Sequence, residues 1–575
     1  MRVLTKNESD TSLSQILDAV IQNPSLNHQN LSKLIKKHPI PGGGYYSRAS
    51  IIQAYRERAG DSADLNVIKN LRLKPIRSLS GVTPVTVLTK PWACPGDCIF
   101  CPSDIKMPKS YLSNEPGAQR AANNFFDPYL QAYNRLTQLH NIGHPIDKVE
   151  YIILGGTWSV YPLPYRIWFI KRLFEALNDF GQGIDQSSTI KPSITTAHVP
   201  HVYADAKYNR TIASLYKDQE LQKLKENREI ATWEELEHQQ NLNVAAKVRC
   251  IGLVLETRPD NVDVKEATCL RRLGCTKVQI GVQTLNDHNL KINKRGHTVA
   301  QTRKALELLR LFGFKLHIHW MPNLLGATAS SDKEDYLKLY TDLSIKPDEI
   351  KIYPTSLIPH TELVGYYERG EWQPYSHQDL LDVLTFCLKS TPRYTRITRM
   401  IRDIPSTDIM VGNKLTNFRE IAQKSSKQST LKDIRAREIK NTPFDPRDLK
   451  LKKTIYQSAV STEYFLEYIT PGDFIVAFLR LSLPKKEVTS PLPELNHAAI
   501  IREVHVYGQM TKVSDASVSS PQHLGLGKKL IQKAIVLSQK AGYQKLSVIS
   551  AIGTREYYHK LGFKLATLYQ HLALS

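Results

Sequence analysis

Long hydrophobic runs are missing from this 575-residue chain. No stretch reaches the ~18 apolar residues that a membrane span needs, and the opening MRVLTKNESD carries no apolar signal core. These absences set the expectation of a cytoplasmic protein without membrane contact. Cysteine is scarce, at 7 residues, which excludes a disulfide framework. Three of the seven fall between positions 94 and 101, a crowding that points to metal in a reducing compartment. Acidic residues are in deficit: 55 Asp and Glu against 77 Lys and Arg leave a formal charge of +22. Such an excess favours a polyanionic partner, nucleic acid before any other. Internal repeats and low-complexity tracts are absent as well. What is present is ample apolar material, 41% of residues, for several buried cores.

The chain changes rhythm along its length. Residues 1–80 carry 12 Lys and Arg against 6 Asp and Glu, and their apolar spacing over 14–21 and 31–37 predicts helices. Pro41-Gly-Gly-Gly breaks that pattern before a third helix near 48–58. From about residue 80, short apolar strands at 85–88, 149–154, 249–255, 277–280, 315–319 and 349–352 alternate with helical stretches, which implies a parallel sheet, open or curled into an incomplete barrel. Residues 182–245 interrupt the alternation with polar sequence and read as an insertion on the barrel surface. Residues 391–455 hold 16 Lys and Arg against 7 Asp and Glu, including Arg393, Arg396, Arg399 and Arg402, and 391–454 reads as a basic connector. From 455 a second α/β pattern begins, with strands at 474–481, 498–507 and 545–549 around a helix at 527–541. The expected organisation is therefore a basic helical region (1–80), a partial barrel (81–390), the connector (391–454) and a smaller α/β domain (455–575).

Cys94-Pro-Gly-Asp-Cys98-Ile-Phe-Cys101 follows the first strand. Three thiolates at this spacing suit three irons of a 4Fe–4S cubane and leave the fourth iron open, as a catalytic cluster requires. A structural zinc is the competing reading, but no fourth Cys or His stands in the next dozen residues. Cys250, Cys269, Cys275 and Cys387 are scattered and read as buried packing thiols. Further along, Gly155-Gly156-Thr157 and Glu256 each close a strand, where a barrel gathers its chemistry. Gln522-His-Leu-Gly525-Leu526-Gly527-Lys528 precedes a helix, and the free N–H groups of such a loop bind pyrophosphate.

These residues carry resemblances. The Cys triplet with Phe100 resembles the radical S-adenosylmethionine (SAM) superfamily, which implies a glycine pair, Gly155 and Gly156, at the amino group of SAM. The succession Glu503-Val504-His505-Val506, the glycine loop and Tyr557-Tyr558-His-Lys-Leu-Gly562-Phe563 resembles the GNAT acyl-CoA-binding fold. Thr89-Lys-Pro91, Asp147-Lys148-Val-Glu150, Glu256-Thr-Arg-Pro-Asp260, His317-Ile-His-Trp-Met-Pro322, Asp348-Glu-Ile-Lys-Ile-Tyr-Pro354 and Arg402-Asp-Ile-Pro405 together resemble the family of the Elongator catalytic subunit, from about residue 70 onward. The fold class so implied is α/β, a radical SAM partial (β/α) barrel joined to a GNAT-type domain behind an N-terminal helical segment.

The resemblance implies a tRNA carboxymethyluridine synthase. SAM cleavage yields a 5′-deoxyadenosyl radical that takes hydrogen from the methyl of acetyl-CoA; the carbon radical adds to C5 of the wobble uridine, and thioester hydrolysis leaves 5-carboxymethyluridine. It implies Cys94, Cys98 and Cys101 as cluster ligands. Phe100, Gly155, Gly156, Thr157 and Glu256 fall to the SAM side, and Lys148, residues 503–506, Gln522, residues 525–528 and Tyr558 to acetyl-CoA, with Tyr558 catalytic beside the three cysteines. The implied partners are the tRNA anticodon stem-loop, acetyl-CoA and an external electron donor, with Elongator-like subunits only in a eukaryotic setting. One departure stands out: where the family often carries zinc-binding cysteines, residues 431–438 hold no thiol, so a connector zinc is not expected and packing or ion pairs must hold the segment. The alternatives are a protein lysine acetyltransferase with a structural radical SAM domain and a non-catalytic tRNA-binding scaffold.

Overall fold

Apolar strand runs separated by amphipathic helices assemble two sheets and a helical unit. The computed structural model describes residues 6–24, 26–72, 80–190, 208, 209, 212, 228–402, 404–426, 430–440, 442–507 and 524–574. Four helices, α1 (Lys6–Gln22), α2 (His28–Lys37), α3 (Arg48–Ala59) and α4 (Leu65–Leu71), form the N-terminal unit around Ile16, Leu31, Ile51, Ile52 and Ile68. Ser47 caps α3 by accepting the N–H of Ser50. Arg56 and Arg72 dock the unit by donating to the carbonyls of His140 and Gly143, at 2.9 and 2.7 Å.

The barrel sheet has seven parallel strands in sequence order: β1 (Thr83–Leu88), β2 (Lys148–Leu154), β3 (Arg249–Thr257), β4 (Lys277–Gln283), β5 (Lys315–Trp320), β6 (Glu349–Ile352) and β7 (Arg396–Arg399). The helices α5 (Pro116–Asn123), α6 (Pro128–Asn141) and α7 (Leu163–Gln182) follow in the first two crossovers. One continuous core fills the space between strands and helices, with Trp158, Tyr161, Tyr165 and Phe169 in mutual ring contact. β7 corrects the expected boundary: Arg396-Ile-Thr-Arg belongs to the barrel, because Ile397 alone must face the core for so short a strand to pair with β6.

The segment 182–245 is likewise more than a surface insertion. A capping box at Thr232 and Glu235 starts the helix Trp233–Asn243, which packs on α7 and buries Leu236 and Asn243. Asn243 accepts the N–H of Cys250 at 2.8 Å and so fixes the start of β3. Tyr208 and Ile212 are buried against Ile105, inside the loop that carries the cysteines.

The second sheet runs β13-β14-β12-β11-β10-β9-β8, with β8 (Lys450–Gln457), β9 (Ser461–Ile469), β10 (Ile475–Pro484), β11 (Ala498–Val506), β12 (Lys545–Val548), β13 (Lys564–Leu565) and β14 (Gln570–Ala573). β8 to β11 are antiparallel neighbours, and the helix Leu526–Lys540 returns the chain so that β12 pairs parallel with β11. β8 starts ahead of residue 455, so this sheet too takes residues from the expected connector. No helix among the described residues is long and apolar enough to cross a membrane.

Charge joins the two sheets. The first residues of β4, β5 and β6 face β10 and β11, where Lys277 meets Glu150 and Glu349 at 2.9 and 3.2 Å, and Lys315 meets Glu349 and Glu503 at 2.7 and 2.6 Å. Beside them Arg502, wholly buried, contacts Asp348 at 2.6 Å and Glu463 at 2.8 Å. Burial alone would raise the Asp348 and Glu463 carboxyls; Arg502 holds both below their ordinary values, helped by Arg480 and Arg310 at Asp348 and by Arg310 at Glu463. Replacing Arg502 by Met takes the nearest cation from two buried carboxylates, leaving Asp348 to Arg480 and Glu463 to Arg310, and is expected to cost about 3–5 kcal/mol in denaturant unfolding. Depressed carboxyls stabilise above their unfolded values and lose that effect as pH falls, so the gap between wild type and variant should narrow below about pH 4.

Candidate active site

The cysteines occupy the loop after β1, at the C-terminal mouth of the barrel. Arg295 donates Nη1 to the Cys98 sulfur at 3.3 Å and Nη2 to the Gly281 carbonyl at 2.8 Å. Arg258 braces Arg295 from behind, donating to its carbonyl at 2.6 Å while Asp260 takes two further N–H groups. The hydrogen bond from Cys101 lowers the Cys98 thiol first, and Arg295 and Arg258 lower it further, while Cys101 is raised in turn. Cys94 lies 3.6 Å from the Thr157 hydroxyl, and Cys101 lies 3.1 Å from that of Ser110. The backbone here is pressed close: a Cβ on Gly96 would fall 2.2 Å from Arg258 Nη1.

Three convergent sulfurs with guanidinium donors at their backs are a donor set suited to an iron–sulfur cluster. Arg258 Nη1 is buried with no hydrogen-bond partner among the described residues, a donor still waiting for an acceptor at this mouth. Phe100 seals the loop against Leu324, Leu325 and Leu357. Gly155 has φ +142°, and a Cβ there would lie 1.9 Å from Thr89 Oγ1, whereas at Gly156 the nearest atom would be Tyr161 Oη at 3.5 Å.

A cavity of about 1110 Å³ runs from this mouth through the barrel. Cys94, Cys98, Cys101, Phe100, residues 155–157 and Glu256 line it at one end. Glu503, Val504, His505 and Tyr558 line it at the other. Burial pushes the Glu256 carboxyl up against the pull of Lys351, Arg402 and Arg295, and its Oε2 has no partner among the described residues. Burial brings Lys351 down to about 8 although Glu256 opposes the shift. His505 is brought down to about 4 by burial, so it is neutral near pH 7, and its ring stacks on Phe478 with centroids 5.6 Å apart. Burial raises the Tyr558 phenol.

Beyond the cavity, Gly527 brings the helix Leu526–Lys540 close to β11: a Cβ would meet Tyr557 Oη at 3.1 Å and Val506 Cγ2 at 3.8 Å. That helix starts from Gly525 with no side-chain cap, Leu526 is buried and Lys528 is exposed, so its first N–H groups are open to an anion. Lys148 opens β2 at the mouth facing the second sheet, half-exposed and 3.9 Å from Asp147. Gln522 lies outside the described residues.

Two features escape sequence reasoning. Asn209 accepts the N–H of Cys94 at 2.9 Å and donates to Asp97 at 2.7 Å, so the 182–245 segment reaches the cysteine loop itself. The arginines of the basic connector are also not a free row: Arg393 binds Glu467 and Asp473, Arg396 binds Glu438, Arg402 binds Glu115, and Arg437 binds Glu467. These ion pairs hold the thiol-free segment, and Arg435 and the lysines at 414, 424, 440, 450, 452 and 453 stay exposed.

Comparison with known proteins agrees with this architecture. Residues 214–333 match the Radical SAM superfamily and 347–428 the Radical_SAM C-terminal domain. The chain is 33% identical over 578 residues to the tRNA uridine(34) acetyltransferase of Methanocaldococcus jannaschii, covering 97% of this chain and 96% of that protein. Elongator complex protein 3 of Homo sapiens is 31% identical, with 87% of this chain and 85% of that one covered. The solved structure of archaeal Methanocaldococcus infernus Elp3 with an N-terminal deletion superposes with a TM-score of 0.67 at 32% identity, over 86% of this chain and all of that one.

The two glycines make a contrast to measure. Gly155→Ala is expected to destabilise the protein by about 1–3 kcal/mol, since both its φ and its Cβ conflict with the fold. Gly156→Ala is expected to stay within about 0.5 kcal/mol in the same thermal unfolding experiment.

Proposed function

Since the chain belongs to the family of the tRNA uridine(34) acetyltransferases and Elongator complex protein 3, we propose that it transfers a carboxymethyl group from acetyl-CoA to C5 of the wobble uridine of tRNA by radical SAM chemistry. The observation that carries this reading is one continuous cavity, which has the three cysteines at one end and β11 with Tyr558 at the other. An acetyl group held at β11 and an anticodon base entering from the cysteine mouth would meet inside the barrel, out of contact with water.

The chain's own residues divide the work. Cys94, Cys98 and Cys101 would hold a 4Fe–4S cluster, with Arg295 and Arg258 offsetting the thiolate charge. Bound there with SAM, the cluster supplies hydrogen-atom abstraction, the reactivity that an unactivated acetyl methyl needs. The Gly155–Gly156 backbone and Thr157 offer polar atoms for SAM, and Glu256 brings an unpartnered carboxyl oxygen to the same mouth. The open start of the helix Leu526–Lys540, with Lys528 beside it, suits the pyrophosphate of acetyl-CoA, and Lys148 adds a cation on the barrel side. Exposed lysines of the N-terminal helices and of 414–453 would meet tRNA phosphates, with the salt dependence that follows. An external electron donor and a cytoplasmic setting complete the proposal.

Anaerobic incubation with tRNA, SAM, acetyl-CoA and a reductant, followed by nucleoside mass spectrometry, tests it. Wild type is expected to yield 5-carboxymethyluridine. Cys98→Ala is expected to lose cluster iron and more than 99% of the product while still binding tRNA. Unaltered RNA beside acetylated lysines would assign the protein acetyltransferase activity instead.

A further inference from the structure

β4 measures the distance between the two ends of the cavity. Its residues alternate in direction, so Lys277, Gln279 and Gly281 face the same interior, with about 7 Å between successive members. Lys277 belongs to the ion pairs that reach Glu503 through Glu349 and Lys315, and Gly281 supports Arg295 and through it Cys98. Gln279 therefore sits midway, where a base entering from one end meets an acetyl group held at the other.

The Gln279 amide is locked in one orientation. Lys351 Nζ lies 2.5 Å from its terminal oxygen and His319 Nε2 lies 3.0 Å from the same atom. An ammonium only donates, so that atom is Oε1, and neither neighbour can satisfy Nε2. No hydrogen bond among the described residues uses Nε2, and the residue, 2% exposed, lines the cavity. With Oε1 held by two neighbours, the amide of this cavity-lining residue keeps Nε2 as the group free to donate to a ligand acceptor.

Resting on the wobble-uridine reading, we propose that Gln279 is a specificity-determining residue for the base: its Nε2 donates a hydrogen bond to a carbonyl oxygen of uracil, with Lys351 and His319 as positioning residues. Uracil presents carbonyl oxygens at C2 and C4, whereas cytosine carries an amino group at C4. A fixed donor at the C4 side accepts uridine and repels cytidine, because the amino group would leave two donors facing each other.

The test compares tRNA carrying uridine, 2-thiouridine or 4-thiouridine at position 34, since sulfur is a much weaker acceptor than oxygen. With wild type, one of the two thio bases is expected to lower kcat/KM about tenfold, the size of one hydrogen bond. Gln279→Leu is expected to be slow on uridine and to abolish that discrimination, with a ratio near one. Gln279→Glu keeps an acceptor for Lys351 and His319 but loses the donor, so it should remain folded in thermal melts and also lose the discrimination. An unchanged thio penalty in both variants would overturn the proposal, as would a rise confined to the KM for SAM. Failure of wild type to modify uridine at all would instead overturn the reading beneath it.

Discussion

Four cations at the foot of the barrel decide what this molecule can do. Lys315, Arg480 and Arg502 each pair with carboxylates from both halves of the molecule, Lys277 ties Glu150 to Glu349 within the barrel, and all of these groups but Glu150 are largely buried. Such pairs are weak sources of net stability, because desolvation cancels most of the Coulombic gain. Their value lies in geometry. A charge buried at a sheet-to-sheet contact tolerates only the register in which its partner is present, so the second sheet is held against the barrel in one pose. The cavity exists because of that pose: Glu503 both pairs with Lys315 and lines the space that ends at the cysteines.

The same economy applies at the opposite mouth. Arg258 and Arg295 form a stacked relay of hydrogen bonds that ends on the Cys98 sulfur, and Asn209 ties down the N–H of Cys94. A loop that must present three sulfurs to one cluster cannot depend on its own short sequence for rigidity. It borrows rigidity from the ends of β3 and β4 and from a segment more than a hundred residues away.

What was legible in the sequence was local. Six barrel strands and the strands around the helix Leu526–Lys540 announce themselves as apolar runs, and the cysteine spacing carries its own chemistry. The seventh strand escaped because Arg396-Ile-Thr-Arg has a single core residue inside a basic run. Asn209 escaped because an asparagine in polar sequence looks like a loop residue until the fold brings it to Cys94. Gln279, His319 and Lys351 are polar residues on inward positions of strands, and they make sense only once the strands curl around a shared interior. The connector arginines misled in the other direction: their charge suggested RNA, yet most are consumed by carboxylates, Arg393 and Arg437 by Glu467 of the second sheet, Arg396 by Glu438 and Arg402 by Glu115. Net charge is additive along a sequence, but free charge is a property of the fold.

The account stands or falls on whether the two ends of the cavity act on one another. Supplying acetyl-CoA with a fully deuterated methyl group, together with unlabelled SAM and tRNA, measures this directly. If the acetyl methyl and the SAM site share the barrel interior, one deuterium is recovered in 5′-deoxyadenosine and two remain in the new side chain of the wobble uridine. Unlabelled 5′-deoxyadenosine, or an acetyl group that keeps all three deuteriums in its product, would contradict it.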